Sequence, residues 1–76
     1  MSKLPVIKDH EMLALLLRAG FAVVRWGGTS HAQLAHPEKP GVRITIAIHH
    51  RDMHRSEIRK TLRDAQITIG EFRKLL

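Results

Sequence analysis

Cysteine is absent from this chain of 76 residues. Disulfide staples, thiol nucleophiles and cysteine-ligated zinc are thereby excluded, and the absence suits a reducing compartment. Long apolar runs are missing too. Nothing approaches the roughly 20 residues that a membrane-spanning helix needs, and Met1-Ser2-Lys3-Leu4-Pro5 lacks the apolar stretch of a signal peptide, so a cytosolic protein is expected. No internal repeat, low-complexity segment or linker interrupts the chain. The expectation is one small domain over residues 1–76, near the lower limit for a core without staples or metal. Acidic residues are in short supply: seven Asp and Glu stand against 13 Lys and Arg, a formal charge of +6 with the six His neutral. That balance favours a polyanionic partner. Charge alone does not separate such a binder from an ordinary basic domain, so a site is needed beside it.

The stretch Gly27-Gly28-Thr29-Ser30-His31 supplies one. Its glycines permit backbone angles and close approaches that a side chain would block, and His31 opens a short alternating run read as a strand. Before it, Val6-Ile7 reads as an extended lead-in packing an apolar pair. Asp9 is read as a helix N-cap and Gly20 as the matching C-terminal residue. Between them Met12, Leu13, Leu15, Leu16, Leu17 and Ala19 cover more than half the helical wheel. Phe21 to Trp26 reads as a first strand, with Trp26 at its end capping the core or stacking on a base, and His31 to His36 as a second, stopped by Pro37. Glu38-Lys39-Pro40-Gly41 reads as a turn. In the third strand Val42, Ile44, Ile46 and Ile48 alternate with Arg43, Thr45, Ala47 and His49. Short links imply an antiparallel meander covered by helices on its apolar side. Ala32 and Leu34 then turn inward, and His31 shares the open face with Arg43 and Thr45.

Ser56 is read as the cap of a second helix reaching Ala65, with Ile58, Leu62 and Ala65 lining its apolar stripe and Arg55, Arg59 and Arg63 forming a basic stripe beside it. Those arginines outnumber what Asp52, Glu57 and Asp64 can neutralise, and they read as a phosphate-contacting ridge or a solvated face. Thr68-Ile69-Gly70-Glu71 matches a capping box, so a short helix over about Glu71 to Leu75 follows, packing down Phe72. The fold class is α+β, in the order α-β-β-β-α with a short extra C-terminal helix. His36 is read as a strand-end packing residue and His49, His50 and His54 as loop histidines. His50 and His54 have a spacing that chelates metal on a helix, but Arg51 and Arg55 beside them repel a cation, so no metal site is assigned.

In this order and spacing, Ala19-Gly20-Phe21, Thr29-Ser30-His31 with His36-Pro37, Ile44-Thr45-Ile46-Ala47-Ile48-His49, Ile58 to Ala65, Ile67-Thr68 and Phe72 resemble the HicA toxins of toxin-antitoxin systems. The resemblance covers nearly the whole chain. Thr29 stands where that family commonly has glycine, and Ala47 where it often has proline. The resemblance implies a fold like a double-stranded-RNA-binding domain, an mRNA-cleaving activity, and a HicB antitoxin that covers the active surface. It carries the family's catalytic histidine onto His31.

Such cleavage needs neither metal nor other cofactor when the 2′-hydroxyl attacks its own neighbouring phosphate, since the nucleophile is already tethered. His31 would then act as general acid or base. Gly28, Thr29, Ser30, Arg43, Arg55, Arg59 and Arg63 would hold the RNA. A non-catalytic RNA-binding domain with the same basic face is the alternative, and a small interaction module that docks another protein through the broad leucine face of the first helix is a third reading.

Overall fold

A computed structural model describes residues 4–28 and 30–76. The elements run α1 (Asp9–Arg18), β1 (Ala22–Gly27), β2 (His31–His36), β3 (Lys39–Ala47), α2 (Arg55–Ala65) and α3 (Ile69–Leu75). The strands form an antiparallel sheet in the order β1-β2-β3, the meander that short links dictate. This is the expected α+β architecture, like that of a double-stranded-RNA-binding domain with an added helix.

Alternation on the strands creates the core. Ala32, Leu34, Ile44 and Ile46 are buried on one side of the sheet, against Met12, Leu15 and Leu16 of α1, Ile58, Leu62 and Ala65 of α2, and Phe72 of α3. The wide apolar surface of α1 is only partly used: Leu17 is left exposed. In the lead-in, Leu4 and Ile7 pack inward while Val6 points out. This corrects the expected Val6-Ile7 pair, because in extended chain adjacent side chains take opposite sides. The lead-in instead bridges Lys8 to Asp52, with the Met53 N–H donating to the Ile7 carbonyl at 2.9 Å.

Element boundaries depart from expectation at several places. Lys8, not Asp9, is the N-cap of α1, and the Lys8 N–H donates to the Glu11 carboxylate at 2.8 Å. His54, not Ser56, caps α2, with its N–H donating to Glu57 at 3.0 Å. The chain reverses at Pro37 and Glu38 rather than over Glu38 to Gly41, with His36 opposite Lys39. Lys39 to Gly41 form an irregular entry to β3, where Gly41 takes φ +86°. Thr68 and Glu71 do form the reciprocal capping box, and α3 starts directly after Thr68 at Ile69, two residues before the expected Glu71, because the cap residue immediately precedes the first helical one.

Cations from distant elements close two helix ends. The Arg18 guanidinium donates from Nε and Nη2 to the Leu75 carbonyl at 3.0 and 2.8 Å, and the Lys39 ammonium donates to the Ala65 carbonyl at 2.9 Å. Both meet the negative end of a helix dipole. No described helix is long and apolar enough to cross a membrane.

Candidate nucleic-acid interface

The sheet face away from the helices carries the candidate site. Because Ala32 and Leu34 are fully buried, strand alternation turns His31, Gln33 and Ala35 to the other side. Gly27 and Ala47 flank His31 on the neighbouring strands, and their small size leaves the imidazole exposed. Gly28 has φ +58° with open space where a Cβ would stand, so the turn before His31 offers an uncrowded approach. Ser30 extends the ladder beyond Ala47 by accepting the Ile48 N–H at 2.8 Å. Thr29 lies outside the described residues.

Two arginines share this face. Arg43 lies opposite Ala35, as the alternation of β3 requires. Arg25 joins it through an irregularity that sequence reading did not register: pairing skips Val24, so Arg25 rather than its neighbour faces Gln33. Both are exposed, and neither forms an ion pair among the described residues. Arg55, Arg59 and Arg63 are not brought to His31. They are exposed on α2, in the helix layer. Arg63 lies 4.0 Å from Asp64, while Glu57 is engaged by Arg51 at 3.7 Å.

His49, set on the Arg43 side by the alternation of the third strand and otherwise read as a loop histidine, has its ring beside that of His31, centroids 6.4 Å apart and planes at 87°. Its backbone is held by Asp9, which is only 3% exposed. One Asp9 oxygen accepts the His49 N–H and the other the His10 N–H, both at 2.7 Å. Burial by itself would raise this carboxyl. The N–H groups of His49 and His10, with those of Arg51 and His50, outweigh it and hold Asp9 below the ordinary carboxylate range. What sequence could show was an alternation running one step past Ala47, from His31's face to His49.

The other histidines are engaged elsewhere. His36 packs edge-on against Phe21, accepts the Glu38 N–H at Nδ1 and places Nε2 3.0 Å from the Ala19 carbonyl, as a packing residue should. His10 and His50 pair with each other. His50 sits in a loop at φ +58° and His54 precedes α2, so their four-residue spacing does not lie on one helix. Trp26 is 55% exposed rather than a cap on the core, and it pairs with Ala32 on the side opposite His31.

A family model described as the HicA toxin of bacterial toxin-antitoxin systems matches residues 10–67, well over half of the chain. The chain belongs to the HicA toxin family. Its role is therefore that of the toxin in a toxin-antitoxin system, which implies an antitoxin partner. The matched region spans α1, the sheet and α2, includes His31 and His49, and stops before α3. No curated protein matches the chain.

Proposed function

We propose that this HicA-family toxin is a metal-independent endoribonuclease that cuts mRNA in the cytosol with His31 as general acid or base, and that a HicB-type antitoxin silences it by covering the His31 face. One observation carries the reading: an exposed histidine beside an open glycine turn, on a sheet face whose two arginines have no acidic partner among the described residues. The arginines and the turn around Gly28 and Ser30 would hold the phosphate as negative charge builds, and His31 would move a proton. Thr29 is proposed as a further RNA-binding residue. Arg55, Arg59 and Arg63 would engage RNA that extends round to the helix layer.

The test is RNA cleavage in EDTA by the purified protein and its His31→Ala variant, with binding read in parallel. The parent is expected to cut. The variant should bind with similar affinity and lose about 10²–10⁴-fold in rate. If both bind RNA and neither cuts, the protein is a binding module and the nuclease reading is abandoned.

A further inference from the structure

We propose that His49 is the second proton-transfer group, working with His31 on one phosphodiester; the inference rests on the nuclease reading. Cleavage by the 2′-hydroxyl moves two protons. The P–O2′ bond forms as the 2′-oxygen gives its proton to a neutral imidazole, and the P–O5′ bond breaks as an imidazolium protonates the departing 5′-oxygen. A 2′,3′-cyclic phosphate and a 5′-hydroxyl result, and exchange with solvent resets the two rings. Attacking and leaving oxygens are roughly in line across phosphorus, and each partner must come within about 3 Å of its oxygen. One imidazole cannot hold both positions at once, whereas two rings with centroids 6.4 Å apart can serve two sides of one phosphate lying over them.

Three features single out His49 among the histidines. Its ring and that of His31 are exposed, and no nitrogen of either makes a hydrogen bond among the described residues, in contrast to His36, where both nitrogens are engaged. The two backbones are tied together through the Ile48 N–H to Ser30 bond and the pairing of His31 with Ala47. Asp9, buried in a molecule with few acids, fixes the His49 backbone through a 2.7 Å bond, which makes Asp9 a positioning residue. The charged and titratable groups around the pair are Arg25 and Arg43 on the same face, and Asp9, His10, His50 and Arg51 around the His49 backbone.

The experiment is single-turnover cleavage in EDTA across pH by the parent, His31→Ala and His49→Ala. Two RNAs are used: an ordinary one whose cleavage site is mapped with the parent, and one with sulfur replacing the 5′-bridging oxygen at that site. A thiolate leaves without being protonated, so the sulfur substrate dispenses with the general acid. On the ordinary RNA, His49→Ala is expected to lose about 10²–10⁴-fold in rate with binding and melting temperature little changed. The parent should give a bell-shaped pH profile, and each variant should lose one limb of it. The sulfur substrate should restore one variant and not the other, which names the acid. His49→Gln keeps the side-chain bulk and should show the same loss should the alanine variant misfold. Parental rates in His49→Ala or His49→Gln, or sulfur rescue of both alanine variants or neither, would overturn the pair while leaving the His31 nuclease standing. A parent that binds RNA without cutting removes both.

Discussion

The His36 imidazole leaves no room for a side chain at position 20. A Cβ on Gly20 would stand 2.6 Å from Nε2, and Gly20 has φ +100°, where an L side chain is strained. Gly20→Ala should therefore destabilise the fold by about 2–3 kcal/mol, read as a lowered urea midpoint at unchanged slope. Asp9 makes a pH-dependent contribution. Its folded carboxyl titrates below the unfolded one, so its stabilisation is complete above the unfolded value of about 4 and is lost as pH falls below that through the folded value. Melting followed from pH 6 down to pH 2 should show a loss that Asp9→Asn does not, since the amide has no such titration. Residues were legible in sequence where a regular alternation fixed their side, as with His31 and Arg43. They were not where regularity failed: Arg25 reaches the site through the irregular pairing at Val24, and His49, although the alternation of the third strand runs to it, lies past the end of that strand and is held by a long-range bond to Asp9. Asp9 itself was read as a local cap because its reach across 40 positions leaves no mark in the local pattern.

Each helix begins with a glutamate at its third position taking the N–H of the residue before the helix: Glu11 from Lys8, Glu57 from His54 and Glu71 from Thr68. Only the last start has the threonine that completes the box. The preference for Ser, Thr, Asp or Asn at a cap therefore located α3, while it misplaced α1 by one residue and α2 by two. The same logic hid the tight reversal at Pro37 and Glu38, since Pro40-Gly41 carries the more familiar turn chemistry and is used as a bulge instead. Helix α2 ends on Gln66 in the left-handed region, φ 59° and ψ 41°, where glycine is the favoured residue. Gln66→Gly should stabilise the protein by about 1 kcal/mol, a rise of roughly 4–8 °C in Tm by calorimetry.

With extents of 37 × 28 × 17 Å, the molecule is one sheet and one layer of helices thick. Among the described residues the buried hydrophobic side chains form one cluster, so no second core there compensates for damage to it. Phe72 is the largest fully buried side chain among the described residues. Phe72→Ala should cost about 3–5 kcal/mol, against a total of about 4–11 kcal/mol for a domain of this size. Chemical denaturation should accordingly show a variant folded only marginally at 37 °C. The layer arrangement was legible because consecutive strands with short links permit few topologies, whereas the placement of α3 depended on the long-range Arg18 clamp onto Leu75. That clamp joins positions 57 apart, and it has a consequence for timing. During synthesis the strands bearing His31 and Arg43 emerge before Phe72 exists to complete the core cluster they share. The hairpins can pair early, yet the layer that braces them closes only after residue 72 has been added, so a competent surface is acquired late in the chain's manufacture and abruptly, not strand by strand.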